Sequence, residues 1–267
     1  MRKALVSLAI GKACLEPWQL YLRQGWTSWC EQHGYTLILF CEPLDASQRA
    51  ERRSPAWQKL LAMTSPEVQA FDQALWVDAD VLLQPWAPDP LVGLDPAVMA
   101  MARDVGSPLA HQPDWFKQAW CEILQHSLPG LVLNSYYDLW GVSASQRVLY
   151  NTGVIAFSPQ HHHDLLMSVY EHWLDGGPGS LHEMIPLNLV AQQHGVLTEL
   201  DENYNQLAGV QHAVWRAQPQ AVQHLHALGD AELGIYEFLD GLARRCFFLH
   251  FAGAHQLMLR FLRQRYG

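Results

Sequence analysis

Residues 74–85 read ALWVDADVLLQP, and the way this stretch is read decides the fold. Ala74, Leu75, Trp76 and Val77 form an apolar run that delivers two carboxylates; Val81, Leu82 and Leu83 follow at once, and Pro85 breaks the pattern. This is the signature of a strand leaving a buried core. Side chains alternate faces along a strand, so Asp78 and Asp80 project the same way if the backbone stays extended. Two anions sharing one spot repel unless a cation or hydrogen-bond donors sit between them. A hard divalent ion, Mn²⁺ or Mg²⁺, is the natural occupant. The competing reading is an ordinary turn capped by backbone N–H groups, and the apolar runs on both sides argue against it.

A chain of 267 residues accommodates one large α/β domain and nothing in the length forces a second core. With 49% hydrophobic and 16% charged residues the composition is globular, not disordered. The net charge of −9 argues against a duplex nucleic-acid partner. Eleven Trp are a weak hint of stacking surfaces, since most Trp in any protein are core. The five Cys are scattered without a Cys-X-X-Cys pair, which points to free thiols in a reducing, cytoplasmic compartment. Met1-Arg2-Lys3 before an apolar run resembles a secretion signal, but Lys12 and Glu16 cut that run short, so it is read as the first strand.

In chain order, the pattern predicts a strand over 4–10, a helix over 17–32 with Trp18, Leu22, Trp26 and Trp29 on one face, and a strand over 35–40. That strand, helix, strand unit is the usual opening of a parallel sheet. Residues 43–55, with Arg49, Arg52 and Arg53, read as a solvated loop or short helix, and 56–63 as a helix carrying Lys59. A strand over 97–102 ends at Arg103-Asp104. Residues 106–149 are aromatic-rich and read as an insertion over one face of the sheet. YNTGVIAFSP at 150–159 opens a further strand with Asn151 beside Gly153; the triple His161–His163 reads as a solvated helix start. A helix over 165–174, a Gly-Pro turn at 176–179, a helix from His182 that carries Glu183 and Met184, a strand over 196–200 and an exposed polar turn over 202–204 follow. CFFLHFAG at 246–253 is again an apolar run delivering one polar group, His250, with Gly253 three residues on.

The order of these pieces resembles the GT-A glycosyltransferases: apolar strand with Asp-X-Asp, then Asn-X-Gly, then an acidic residue five before an Asn, then His-Phe-X-Gly. Within them it is most similar to the retaining branch that includes lipooligosaccharide galactosyltransferases and glycogenin. The resemblance implies a Rossmann-like α/β fold, with a mostly parallel central sheet flanked by helices and residues 1–267 forming one domain. It implies that Asp78, Asp80 and His250 bind Mn²⁺ or Mg²⁺ and that the donor is a nucleotide sugar, UDP-linked in that branch. It further implies that Lys59, Asp78 and Gly253 contact the donor, and that Asp104, Asn151 and Glu183 surround the reacting sugar. Two positions depart from the family pattern: Met184 replaces an amide, and Gln256 replaces a phosphate-binding Lys, for which His255 and Arg260 are the nearby substitutes. Retention arises either through a carboxylate nucleophile, for which only Glu183 and Asp104 are candidates, or through front-face attack, which is favoured because neither is clearly placed.

Two other readings stay open: a non-catalytic sugar-nucleotide-binding module, and a phosphatase of the haloacid-dehalogenase type, which also carries a strand followed by Asp-X-Asp. The acceptor implied is a saccharide or a glycolipid. The tail at 256–267, with Arg260, Arg263 and Arg265 among apolar residues, reads either as a peripheral membrane contact at an inner leaflet or as a solvated terminal helix.

Overall fold

The computed structural model describes residues 1–104, 114, 148–174, 182–218, 220, 221, 223 and 231–267. The insertion expected at 106–149, except for Asp114, Val148 and Leu149, and the turn at 176–179 lie outside the described residues.

The chain opens with β1 (Lys3–Leu8) and β2 (Tyr35–Phe40), which pair in parallel along their whole length as the opening pattern requires. The helical connection between them starts earlier than the hydrophobic periodicity suggests. It runs as an α-helix over Lys12–Pro17, a π-turn over Trp18–Leu22 and an α-helix over Arg23–His33. Pro17 has no N–H to give, so the backbone loosens there and the wider turn follows. Gly34, at φ +70°, closes the helix in the left-handed conformation.

The remaining strands are β3 (Gln73–Val77), β4 (Val81–Leu83), β5 (Met99–Arg103), β6 (Tyr150–Phe157), β7 (Leu197–Leu200), β8 (Gln206–Leu207) and β9 (Phe248–His250). Among the described residues they form a six-stranded sheet in the order β2-β1-β3-β6-β5-β7 and a three-stranded sheet in the order β4-β9-β8. In the larger sheet β6 is antiparallel to both β3 and β5, while the other five strands point one way. The expectation of a mostly parallel sheet is met, and its single reversal has a consequence for position. It puts the beginning of β6 beside the ends of β3 and β5.

Period-two alternation sends the strand residues into two cores. Leu5, Leu75, Val77, Val154 and Ala156 face one layer, with Trp18, Leu22, Trp26, Trp29 and Phe248. Ala4, Val6, Ala74, Trp76, Ile155 and Phe157 face the other, with Trp57, Leu60, Leu166 and Leu187. Helices therefore cover both faces. The tryptophans serve this packing: the Trp26 indole N–H donates to the Val81 carbonyl and that of Trp29 to the Ala87 carbonyl, each at 2.9 Å. Cys14, Cys30, Cys41 and Cys246 are free thiols.

Several sequence expectations are corrected. The backbone is not extended through Asp78–Asp80: β3 stops at Val77, and the Val81 N–H donates to the Asp78 carbonyl (3.1 Å), closing a turn. The chain turns because Val81–Leu83 pair with β9 in the smaller sheet and do not continue in the larger one. Residues 43–55 do contain a short helix, Gln48–Glu51, but its surroundings are not fully solvated: Arg53 is buried and Arg49 half-buried. Their guanidinium groups donate to the carbonyls of Tyr170 and Trp173 at the end of the helix Pro159–His172, where free carbonyls favour a cation. That helix starts six residues before the expected one, and His162 in its first turn is buried and bonded to Ser158. The turn at 202–204 is not wholly exposed, since Tyr204 is buried against Phe247 and Phe248.

The basic tail forms the helix His255–Tyr266, and its Met258, Phe261 and Leu262 are buried in the first core. Arg265 pairs with Asp240 at 2.6 Å. Among the described residues no helix is long and apolar enough to cross a membrane.

Candidate active site

The end of β3, the ends of β5 and β9 and the beginning of β6 meet at one edge of the molecule. At the hub, the Asp78 N–H donates to the Gly153 carbonyl (2.8 Å), continuing the β3–β6 ladder by one bond. The turn after β3 then carries Asp80, whose carbonyl accepts from the Phe251 N–H (3.1 Å) just past β9. Asp78, Asp80 and His250 are thereby brought together, one ligand atom of each lying within 4.8 Å of the others. His250 Nε2 is 3.2 Å from Asp80 Oδ1 and 3.8 Å from Asp78 Oδ2.

Both carboxylates are partly open to solvent, whereas the imidazole is buried. Burial alone would disfavour the charged imidazole, but Asp80 and then Asp78 outweigh it and raise the His250 pKa. Burial likewise opposes ionisation of Asp80, and the facing His250 outweighs it and lowers the Asp80 pKa. Asp78, Asp80 and His250 thus form a group of the kind that could hold a metal ion.

Lys59 approaches from the second core. Its Nζ lies 3.0 Å from Asp78 Oδ1, 2.8 Å from Glu183 Oε1 and 3.1 Å from the Thr152 carbonyl. Burial works against its charge, yet Asp78 and Glu183 prevail and its pKa is raised. Glu183, 2% exposed, also accepts from Thr152 Oγ1 at 3.0 Å. The Trp76 indole donates to Asp78 Oδ1 at 2.7 Å. The Asp78 carboxylate is thus held by Lys59 and Trp76, and its main-chain N–H by Gly153.

Asn151 stands two residues into β6. Its Oδ1 accepts from the Gly153 N–H and from Asn205 Nδ2, each at 2.9 Å, and its Nδ2 points to Asp104 Oδ1 at 3.4 Å. Asn205 in turn faces His250 Nδ1 at 2.8 Å through its Oδ1. Gly153 is required by this crowding: a Cβ there would lie 2.2 Å from His250 Cε1. Gly253 sits in an exposed turn before the terminal helix at φ +65°. Met184 is buried at the start of the helix Met184–Gln193.

A cavity of about 380 Å³ opens beside the cluster. Leu8, Ile10, Trp76 and Met258 give it apolar wall, and Lys59, Asp78, Asp80 and His255 line its polar side. Gln256 is exposed and does not line it. Clefts outside the carboxyl ends of strands are where open α/β sheets bind ligands.

The structure thus gathers Lys59, Asp78, Asp80, Asp104, Asn151, Glu183 and His250 at one edge, and leaves Gly253 on a neighbouring turn. Sequence reasoning missed Trp76, Thr152 and Asn205. Trp76 and Thr152 read as strand residues, although Trp76 lies two positions before Asp78 and Thr152 directly after Asn151. Asn205 directly follows the polar turn at 202–204, and no local pattern distinguishes it.

No known family model matches the sequence, and no curated protein matches it. Solved structures do resemble the chain. A glycosyltransferase involved in the glycosylation of the major capsid of PBCV-1 aligns with 97% of this chain and 98% of its own, with a TM-score of 0.52 and 13% identity. The bifunctional glycosyltransferase WbbM aligns with 98% of this chain and 49% of its own, with a TM-score of 0.49 and 8% identity. The galactosyltransferase LgtC, solved with donor and acceptor sugar analogues, aligns with 98% of this chain and 95% of its own, with a TM-score of 0.43 and 10% identity. The first likeness establishes the fold: a central sheet flanked by helices, built as in the GT-A glycosyltransferases.

Proposed function

We propose that this chain is a metal-dependent glycosyltransferase that moves a sugar from a nucleotide-diphosphate donor to a saccharide or lipid-linked acceptor. Residues 1–267 act as one catalytic domain in this reading. The observation that carries it is the convergence of Asp78, Asp80 and His250 beside the cavity of about 380 Å³. The donor set fits the group: two carboxylates and one imidazole suit Mn²⁺ or Mg²⁺ and not a soft thiolate-seeking metal. When bound, the ion supplies positive charge to a departing diphosphate without proton transfer.

The protein's own residues do the rest. The apolar wall of Leu8, Ile10 and Met258 receives the base and ribose of a nucleotide, for which UDP is the choice the family resemblance suggests. His255, in the first turn of the terminal helix, lines the cavity near where the diphosphate would lie. It takes the place left by Gln256, and the helix N-terminus adds favourable potential for an anion. Lys59 orients the Asp78 carboxylate and neutralises Glu183. Asp104 and Asn151 border the sugar side of the site. Glu183 is bonded to Lys59 and Thr152 and withdrawn from solvent, which speaks against it as a nucleophile; with retention taken from the family resemblance, front-face attack is the favoured route.

The test is a panel of nucleotide sugars incubated with Mn²⁺ and scored for release of nucleoside diphosphate. At least one donor, a UDP-sugar by expectation, is turned over slowly without acceptor, and both EDTA and Asp80→Ala abolish turnover. Donor binding without turnover would leave a binding module. Phosphate release from a phosphomonoester, with no nucleoside diphosphate formed from any donor, would make it a phosphatase.

A further inference from the structure

The hydrogen bonds behind the cluster run in one direction, and that direction can be traced from a group whose role is not negotiable. The Gly153 N–H is a backbone donor, so the Asn151 side-chain atom 2.9 Å from it is the carbonyl oxygen. The Asn205 atom 2.9 Å from that oxygen must then be its NH₂ group. This leaves the Asn205 carbonyl oxygen facing His250 Nδ1 at 2.8 Å, so Nδ1 carries a hydrogen. The lone pair of the neutral ring is therefore at Nε2, the nitrogen that faces Asp80 Oδ1 at 3.2 Å and Asp78 Oδ2 at 3.8 Å. A positive charge between them, a proton on Nε2 or a divalent ion that displaces it, relieves their repulsion.

We infer that Asn205 is a positioning residue. Through Asn151 and the Gly153 N–H it fixes the Nδ1–H tautomer and the ring plane of His250, so that Nε2 is presented to a divalent cation between Asp78 and Asp80. Asn205, Asn151 and His250 are all buried, so water does not readily replace a missing link. Groups that orient a ligating histidine through its other nitrogen typically set metal affinity by about 10- to 100-fold. The inference rests on the metal reading of the site, and the experiment separates the two.

Mn²⁺ binding to the full chain, without nucleotide, is measured by calorimetry or electron paramagnetic resonance. Asn205→Leu, which fills the space but accepts no hydrogen bond, is expected to weaken Mn²⁺ binding by about 10- to 100-fold. Asn205→Asp keeps an oxygen facing Nδ1–H but loses the NH₂ that donates to Asn151, so it is expected to recover part of the affinity lost in Asn205→Leu, a rescue that a merely space-filling role would not give. On the wild-type protein with Mg²⁺, nitrogen NMR of labelled histidine should show His250 protonated at Nδ1, and this holds whether or not either variant folds. Equal Mn²⁺ affinity in wild type and Asn205→Leu, or an Nε2–H tautomer in wild type, overturns the role of Asn205 and leaves the metal site standing. Absence of Mn²⁺ binding in the wild type overturns both.

Discussion

Lys59 is a buried cation whose contacts are two carboxylates and a main-chain carbonyl. Removing one partner of a buried pair strands the others. Lys59→Met is expected to destabilise the protein by about 3–5 kcal/mol, read as a lower urea midpoint. Adding Glu183→Gln removes one of the stranded charges and should recover part of the loss; no recovery would mean that the pair is not the source of the cost. Gly153→Ala tests the other side of the site, where the new Cβ would lie 2.2 Å from His250 Cε1. Overpacking of this kind costs about 1–3 kcal/mol, and because the atom that must give way belongs to the imidazole, Mn²⁺ affinity should fall with stability. Calorimetry of the variant that shows unchanged Mn²⁺ binding would place the ring elsewhere. At this scale the sequence is legible where an apolar run ends on a polar group, as at Asp78 and His250. It is silent on Asn205, because that side chain acquires meaning only from a partner 45 positions away.

Strands and helices were readable to the extent that they are long enough to show a period. β2 stands where the pattern puts it, and β1, β3 and β6 alternate between two cores. β9 lies inside the apolar strand that CFFLHFAG indicates, but β4, β8 and β9, of two or three residues each, are too short to show a period, so their pairing in a separate smaller sheet is not legible. Solvent exposure was also misjudged where a polar residue finds a carbonyl, as Arg53 does at the end of the helix Pro159–His172. The helix Ala208–Arg216 carries His212, whose ring packs by Trp215 and Phe238 and whose Nε2 has no hydrogen-bond partner among the described residues. Burial, with Arg216 adding to it, pushes its pKa down to about 4 from the ordinary 6.5. In this window the unfolded chain takes up a proton that the folded chain refuses, so stability is full above pH 6.5 and is lost as pH falls towards 4. The slope from one such group is at most about 1.4 kcal/mol per pH unit. His212→Phe should flatten this part of the profile in urea unfolding followed across pH; an unchanged slope would assign the acid sensitivity to other groups. The terminal helix makes a parallel case. Since Met258, Phe261 and Leu262 are buried in the core, Phe261→Ala should cost about 3–5 kcal/mol, whereas exposed Arg263→Ala should fall within about 0.5 kcal/mol of wild type by the same assay.

Across the whole molecule, the candidate cation site is a cross-link between distant parts of the chain. Asp78 and Asp80 leave the larger sheet where β3 ends, and His250 arrives on β9 of the smaller one, 170 positions beyond Asp80 by subtraction of their numbers. Nothing in the unfolded chain holds the three ligands together, so binding belongs to the folded state and must stabilise it by mass action. At a hundred times the dissociation constant the gain is about 2.7 kcal/mol. For a domain of this size each kcal/mol moves the thermal midpoint by about 2–4 °C, so saturating Mn²⁺ should raise it by about 5–11 °C. EDTA should reverse the rise. Asp80→Asn removes one anchoring charge without changing shape, and its midpoint should barely respond to Mn²⁺. A wild-type midpoint indifferent to Mn²⁺ at millimolar concentration, or an Asp80→Asn midpoint that rises as far as wild type, would separate the cation from the Asp78, Asp80 and His250 cluster.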